Sequence, residues 1–322
     1  MKIIITGASG QDGIFLTDKI LRDTKSNIYL CTRSKKNFNF NKLLSINDSA
    51  DLSRIKVVEL DYLDFESVFK FINDIHPDYI FNLMGPSSVS SFINNPDEMT
   101  NVTNIGFENI INSLIKSKNF CNFFQASSSE MYGYESKNAF DESSEFAPNT
   151  AYAKAKHGIH LKTLQIREEF NWNIISGIMF NHESEFRNSN FLIMKLIEGV
   201  INIEDGNMKT IELPSLEITR DWTYSKEMCE AMFNLVYNNF SGSYIIGSGR
   251  TTSLNEIVDY IFGIINKQYE DHIVVNTNKL RKGEPMIIKS NPMKIYDKIG
   301  WRASLDIFDI VNKMYKFKKL AK

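Results

Sequence analysis

Cysteine is scarce in this sequence of 322 residues, since only Cys31, Cys121 and Cys229 occur, and none of them forms a CxxC pair. An odd number of widely separated cysteines disfavours both a disulfide framework and a zinc site, so we expect no bound metal. An excess of charge is also absent, because the sequence has 37 Lys and Arg and 39 Asp and Glu, which gives a net charge of -2. Without a positive field, neither nucleic acid nor a membrane is an expected partner.

Long apolar runs are missing as well. No stretch reaches the length of a membrane span, and the apolar start MKIIIT meets a glycine turn too early to be the core of a signal peptide. The sequence therefore predicts a cytoplasmic protein. The 43% hydrophobic and 24% charged residues are typical of a globular chain and exclude disordered, collagen-like and coiled-coil classes.

Short β-branched runs alternate with amphipathic stretches along the first 180 residues, beginning with a strand at Lys2–Thr6 and a helix around Ile14–Leu21. The other predicted strands are Asn27–Thr32, Arg54–Leu60, Asp78–Leu83, Asn122–Ala126, Trp172–Met179 and Ser243–Ile246. The other predicted helices are Phe65–Ile75, Asn104–Ser117, Tyr152–Phe170, Phe191–Val200, Met228–Tyr237 and Leu254–Ile265. This alternation predicts an α/β fold with a doubly wound parallel Rossmann sheet.

The rhythm of strands and helices breaks after Asn181, at the polar segment Glu183–Asn190. We therefore predict a dinucleotide-binding Rossmann domain at residues 1–180, to which residues 217–265 return. A smaller, interleaved C-terminal domain for the substrate is expected at residues 181–216 and 266–322.

A glycine cluster, TGASGQDG, lies between the first predicted strand and the first predicted helix. Glycines let the chain turn tightly and approach a pyrophosphate, which the helix N-terminus then faces. A plain loop would also tolerate them, but the strand before and the helix after favour dinucleotide binding. The predicted cofactor contacts are Thr6, Gly7, Gly10, Gln11, Asp12 and Gly13.

The end of the second predicted strand favours NADP over NAD. An NAD enzyme usually has Asp or Glu there, whereas this chain has Arg33, which can pair with a 2′-phosphate through two parallel hydrogen bonds. If Arg33 and Lys35 are only part of a solvated basic loop, the choice of cofactor stays open. Asp61, after the third strand, is a candidate for adenine contact or a turn cap.

Tyr152 and Lys156 lie four residues apart and so share one face of a predicted helix. A nearby ammonium and a positive nicotinamide lower the pKa of a phenol, so Tyr152 can take a proton from a sugar hydroxyl during hydride transfer. The spacing alone is weak evidence, because Tyr315 and Lys319 share it near the C-terminus.

Polar residues follow the strand that is predicted to end at Ala126. The carboxyl ends of parallel strands face the ligand crevice, so Ser128 and Glu130 are expected to approach the substrate. Ser128 can bind the reacting oxygen. Once C4 of a sugar is a ketone, Glu130 can remove the acidified C5 proton. A strand-end turn explains Ser127 equally well.

Several motifs in the same order resemble those of the GDP-mannose 4,6-dehydratases, within the extended short-chain dehydrogenase/reductases. TGASGQDG resembles their TGxTGQDG, SSSEMYG their STSELYG, IMFNHES their LFNHES, and ITRDW and GW also match. The resemblance implies a GDP-sugar substrate, C4 oxidation, water elimination and hydride return to C6. It assigns Ser128 to the family's catalytic threonine, Glu130 to its base, and Tyr152 with Lys156 to its Tyr/Lys couple.

The same resemblance implies which residues bind the sugar nucleotide. The two arginines are expected near the pyrophosphate and Glu284 at the ribose hydroxyls. The candidate substrate contacts are Ser87, Ser128, Asn181, Lys195, Arg220, Arg281 and Glu284.

Each candidate has a plainer interpretation. Arg220 could form a buried ion pair beside Asp221, and Lys195 could be a solvated helix residue. His157 and His160 have metal-ligand spacing, but without a further ligand cluster we predict that both lie on a helix surface.

The chain departs from the family beside the sugar, where MGPSSV replaces a GAQSHV-like stretch. Pro86 and Ser88 stand in place of Gln and His, and the smaller side chains leave room for a 2-acetamido group. GDP-N-acetylglucosamine is therefore at least as plausible a substrate as GDP-mannose. A 4-dehydrogenase, epimerase or reductase of the same superfamily, and a noncatalytic NADP-sensing protein, are the alternative functions.

A homodimer is the expected assembly, with helices Phe107–Ser117 and Tyr152–Glu169 as candidate interfaces. Packing against the sheet would explain their apolar stripes equally well. A homotetramer is the alternative, because the loop Ser34–Leu52 reaches a neighbouring subunit in related dehydratases.

Overall fold

A computed structural model describes residues 1–85, 96–281 and 283–320 of the chain. The strands, in chain order, are β1 (Lys2–Thr6), β2 (Asn27–Thr32), β3 (Ile55–Glu59), β4 (Tyr79–Asn82), β5 (Asn122–Ser128), β6 (Ile174–Met179), β7 (Asn181–Glu183), β8 (Ile211–Leu213), β9 (Thr219–Tyr224), β10 (Gly242–Ile246), β11 (Thr251–Ser253), β12 (Ile273–Val275) and β13 (Ile287–Ile288). The helices are α1 (Gln11–Asp23), α2 (Phe40–Leu44), α3 (Phe65–Ile75), α4 (Pro96–Lys116), α5 (Ala151–Phe170), α6 (Leu192–Glu204), α7 (Ser225–Tyr237), α8 (Leu254–Ile264), α9 (Met293–Ile299) and α10 (Ile307–Leu320).

The chain divides into two compact units. Unit 1 comprises Met1–Met131, Pro148–Met179 and Cys229–Tyr244, and unit 2 comprises Tyr132–Ala147, Phe180–Met228 and Ile245–Lys322.

This division differs from the predicted domain limits in two places. Residues 132–147 fall in unit 2, since Phe140 exchanges backbone hydrogen bonds with Lys289 and Asn291 at 2.8 and 2.7 Å. Of the segment 217–265, which was predicted to return to the first domain, only Cys229–Tyr244 lies in unit 1.

Unit 1 is built on a seven-stranded sheet with the order β10-β6-β5-β4-β1-β2-β3. The pairs from β6 to β3 are all parallel. The order reverses beside β1, where connections leave in both directions, so the carboxyl ends of β1 and β4 form the edge at which such folds bind ligands. The predicted doubly wound α/β fold is confirmed.

One face of this sheet carries an apolar core. The strands supply Ile4, Ile80, Phe123 and Ile174, and α3, α4 and α5 cover them in a single buried cluster. Strands buried by helices are apolar at nearly every position, which explains the β-branched runs of the sequence. The cluster fixes the positions of α4 and α5 on this face.

Unit 2 is centred on β9, which pairs antiparallel with β11 and parallel with β7 and β13. A separate pair, β8 and β12, is also parallel, and helices α6, α8 and α10 pack on one another. Asp221 on β9 is fully buried, and its carboxylate accepts hydrogen bonds from the Ser248 and Gly249 amides at 2.9 and 2.8 Å and from the Ser290 hydroxyl. A buried carboxylate is tolerated when donors surround it in this way.

Candidate active site

The glycine turn after β1 has the geometry that a bound pyrophosphate requires. Gly7 has φ +64°, and a Cβ at this position would lie 2.6 Å from the Leu83 carbonyl oxygen at the end of β4. A Cβ on Gly13 would lie 2.3 Å from the Ala8 carbonyl oxygen. The N-cap residue of α1 is Gly10, which has no side chain to cover the helix N-terminus. Backbone amides can therefore approach phosphate oxygens here, and the turn fits a dinucleotide cofactor.

The two other predicted cofactor contacts follow the neighbouring strands. Arg33 comes directly after β2, is exposed, and forms no ion pair with any residue in the described ranges. Asp61 follows β3, and its carboxylate accepts the Leu63 amide at 2.9 Å. The structure therefore shows the turn-capping role of Asp61, while its contact with adenine stays a prediction.

The four predicted catalytic residues lie in unit 1, where α5 packs on β5 and on the short 3-10 helix Ser129–Met131. Ser128 is the last residue of β5, and its hydroxyl accepts the Glu130 amide at 3.2 Å. On α5, the Lys156 ammonium lies 6.0 Å from the centre of the Tyr152 ring. The fold thus places a hydroxyl, a carboxylate, a phenol and an ammonium near one strand end.

Lys156 is buried, and its ammonium donates a hydrogen bond of 3.0 Å to the Ala126 carbonyl. Burial lowers the pKa of Lys156 to about 8, because desolvation disfavours the charged form. The pair Tyr315 and Lys319 has the same spacing but a different setting: both side chains contact Glu204 in unit 2, with the Lys319 ammonium 2.8 Å from its carboxylate. The second pair is therefore an ion-paired structural cluster.

A buried chain of polar side chains that the sequence reasoning missed links this site to the cofactor turn. The Thr6 hydroxyl donates to Asn82 at 2.5 Å, the Asn82 amide donates to Gln125 at 2.7 Å, and the Gln125 amide donates to the Ala126 carbonyl at 3.0 Å. That carbonyl is also the acceptor for Lys156. The signal was present in the sequence, because Asn82 and Gln125 interrupt apolar strands near their carboxyl ends.

The prediction that His160 lies on a helix surface is wrong, since this residue is 3% exposed. It lies one helical turn after Lys156, on the face that packs against the sheet. Its Nδ1 contacts the Ser176 hydroxyl at 2.7 Å, which in turn contacts the Ser127 hydroxyl at 2.8 Å. Burial is the main reason that the pKa of His160 falls to about 4, and the positive charges of His157 and Arg167 act in the same direction.

Three of the predicted substrate contacts meet in unit 2. The Arg220 guanidinium is buried and donates to the Glu284 carboxylate at 2.5 Å and to the Thr219, Pro285 and Met286 carbonyls at 2.9, 2.7 and 2.9 Å. Arg281 also donates to Glu284, at 2.6 Å. The buried ion pair considered for Arg220 therefore exists, but its partner is Glu284 instead of the adjacent Asp221.

The remaining predicted substrate contacts are not part of this cluster. Asn181 begins β7, and Lys195 is exposed on α6. Ser87 lies outside the described residues, as do Pro86 and Ser88. Within the described ranges, no group of three His, Cys, Asp or Glu side chains could hold a metal ion, and no described helix has the length and apolarity to cross a membrane.

Known proteins resemble this chain along its whole length. A family model described as GDP-mannose 4,6 dehydratase matches residues 4–314. GDP-mannose 4,6 dehydratase 1 of Arabidopsis thaliana is 27% identical over 319 residues, which cover 97% of this chain and 88% of that protein.

Two solved structures share the fold. One is dTDP-glucose 4,6-dehydratase from Bacillus anthracis in complex with NAD, with TM-score 0.84, 19% identity and coverage of 100% of this chain and 97% of that one. The other is RMD from Pseudomonas aeruginosa complexed with NADPH, with TM-score 0.82, 18% identity and coverage of 100% and 99%. The family and the fold that the sequence predicted are confirmed.

The buried His160 predicts a specific loss of stability in acid. The unfolded chain binds a proton at the ordinary pKa of 6.5, whereas the folded protein does not until the pH falls to about 4. Stability therefore decreases as the pH falls through this window, by about 3 kcal/mol from this residue. We expect the free energy of unfolding of His160→Gln, measured with urea, to decrease correspondingly less between pH 6.5 and pH 4.

The matched control is His272→Gln, which removes a half-buried histidine of unit 2. Its unfolding free energy, measured over the same pH range, shows what the removal of a histidine from unit 2 does by itself. Parallel pH profiles for the wild type and His160→Gln would contradict the account of His160.

Proposed function

Because the chain belongs to the GDP-mannose 4,6 dehydratase family, we propose that it is an NADP-dependent 4,6-dehydratase that converts a GDP-hexose to its 4-keto-6-deoxy product. The observation that carries the proposal is the placement of Ser128, Glu130, Tyr152 and Lys156 at the carboxyl end of β5. Epimerases and ketosugar reductases need the phenol and the ammonium, but only water elimination needs a carboxylate base beside them.

The reaction requires a hydride acceptor, and a nicotinamide cofactor is supported by the glycine turn and by the cofactors of the two related structures. Bound by the Thr6–Gly13 turn, a nicotinamide dinucleotide would take the C4 hydride and give it back at C6. The acid and base groups that the reaction requires would come from the side chains of the protein.

Tyr152 takes the proton of the sugar 4-hydroxyl as that carbon is oxidised, and the Ser128 hydroxyl binds the same oxygen. Lys156 lies close enough to Tyr152 to favour its phenolate. The 4-ketone then acidifies C5, from which Glu130 removes a proton. The C6 hydroxyl leaves with a proton from Glu130 or from a water molecule. When C6 receives the hydride, C5 regains a proton from water, so the net change is the loss of one water.

Unit 2 carries the groups suited to the nucleotide diphosphate. Two arginines against one carboxylate give the cluster of Arg220, Arg281 and Glu284 a net positive charge, which suits a pyrophosphate. Since Arg220 already donates four hydrogen bonds within the protein, we assign it the task of orienting Glu284. Arg281 is one-third exposed and is the better candidate for direct phosphate contact.

Two observations bear on which sugar the substrate carries, and they favour different substrates. The curated relatives are GDP-mannose dehydratases, whereas Pro86 and Ser88 favour a 2-acetamido sugar. We expect GDP-mannose and GDP-N-acetylglucosamine to be dehydrated and their UDP counterparts to be poor substrates, as measured by mass spectrometry of the products. Slower turnover of the acetamido sugar than of GDP-mannose would contradict the hypothesis that the smaller side chains select it.

Arg33 supports NADP as the cofactor. An exposed guanidinium that pairs with the 2′-phosphate contributes a charge-assisted hydrogen bond, so Arg33→Ser should weaken NADPH binding about tenfold. The affinity for NADH should change less than about twofold, because NADH lacks that phosphate. Fluorescence titration measures both, and Lys36→Ser, at another exposed position of the loop, serves as the control. Equal weakening of both cofactors would contradict the role of Arg33.

Glu130 separates dehydration from the other reactions of the superfamily. Glu130→Gln cannot remove the C5 proton, so elimination should slow by about 10² to 10⁴-fold. Oxidation at C4 remains possible, and reduced cofactor should accumulate when GDP-mannose is added. Cofactor absorbance and product mass report the two steps.

The matched control is the exposed Glu145, whose Gln variant should dehydrate at the rate of the wild type. Unimpaired elimination in Glu130→Gln would overturn the assignment of the base. A product lighter than the substrate by two hydrogen atoms, with net formation of NADPH in the wild type, would favour a 4-dehydrogenase.

A further inference from the structure

Tyr62 is a buried residue for which the proposed reaction provides no use. It follows Asp61 at the end of β3, is 6% exposed, and belongs to the apolar cluster of unit 1 together with Met84 and Phe107. The backbone of α4 passes close to it, since a Cβ on Gly106 would lie 3.2 Å from the Tyr62 Cβ. Its ring is therefore held in place by the core.

The hydroxyl of this ring makes no hydrogen bond of acceptable geometry with any residue that the structure describes, although the oxygen is buried. Burial raises the pKa of Tyr62 well above its usual value, the nearby Cys31 adds to this effect, and the Gly7 amide opposes it. Because Cys31 pairs with Thr6 in the sheet, both neighbours lie at the carboxyl ends of adjacent strands. The phenol oxygen is thus beside the glycine turn.

A buried hydroxyl without a partner is costly, and such groups are rare in folded proteins. In a doubly wound fold, the dinucleotide crosses the sheet at this edge, with its pyrophosphate on the glycine turn. We propose that the Tyr62 hydroxyl donates a hydrogen bond to an oxygen of the adenosine diphosphate half of the bound cofactor. This inference rests on the cofactor site of the proposed function.

The chemistry of the group suits this role. A phenol whose pKa is raised stays protonated throughout the working pH range, so it remains a neutral donor and does not repel phosphate oxygens. The hydrogen bond would also satisfy the buried hydroxyl only when the cofactor is present. Cofactor binding would then stabilise unit 1 beyond the contacts of the glycine turn.

The test is Tyr62→Phe, which keeps the ring and removes only the hydroxyl. We expect the Kd of NADPH, measured by fluorescence titration, to rise about tenfold. We expect the cofactor-free variant to melt about 2–4 °C higher than the wild type, because an unpaired buried group is gone. A hydroxyl with a purely structural role would not produce opposite effects on binding and on stability.

The matched control is Tyr244→Phe, another buried tyrosine of unit 1, whose hydroxyl donates to the Ser241 carbonyl at 3.3 Å. This variant should melt lower than the wild type and bind NADPH with unchanged Kd.

An unchanged Kd for Tyr62→Phe, or a lower melting temperature of its cofactor-free form, would overturn the inference while leaving the proposed function intact. Failure of the wild type to bind either NADPH or NADH would instead overturn the proposed cofactor, and this inference with it.

Discussion

The Ala126 carbonyl accepts two partly buried hydrogen bonds, from the Gln125 amide and from the Lys156 ammonium, and the candidate active site depends on that shared acceptor. A buried ammonium is costly unless a well-placed acceptor receives its protons. The carbonyl therefore fixes where Lys156 lies and keeps it near Tyr152. Through Gln125, Asn82 and Thr6, the same chain of hydrogen bonds reaches the glycine turn.

One face of the unit 1 sheet changes from apolar to polar along its strands. In β1, β4, β5 and β6, a polar side chain lies on the same face as an apolar core residue, two positions further along the strand. The pairs are Ile4 with Thr6, Ile80 with Asn82, Phe123 with Gln125, and Ile174 with Ser176. Helix α5 follows this change with Ile166 over the core and His160, Lys156 and Tyr152 over the polar part. The residues of α5 that pack in the core and the candidate catalytic residues therefore lie at different positions along the helix. This separation explains how a well-packed sheet tolerates a polar site.

Much of this arrangement is predictable from sequence. The helix Phe65–Ile75 and the strands β1 and β2 have the predicted limits, because apolar periodicity and flanking polar caps define them locally. Helix α4 begins at Pro96 instead of the predicted Asn104, since its first turns are polar and lack the apolar spacing. The interior position of His160 was missed because one histidine on an amphipathic helix has no local sign of burial. The partner of Arg220 was missed because Glu284 is 64 residues away and only the fold brings them together.

The proposed reaction is an internal oxidation and reduction of the sugar, coupled to the loss of water. The most direct measurement uses GDP-mannose labelled with deuterium at C4, followed by mass spectrometry and NMR of the product. The account predicts a product that has lost one water and carries the deuterium at C6, with no net change in the cofactor. A product of unchanged mass, or deuterium that ends in released reduced cofactor, would contradict it.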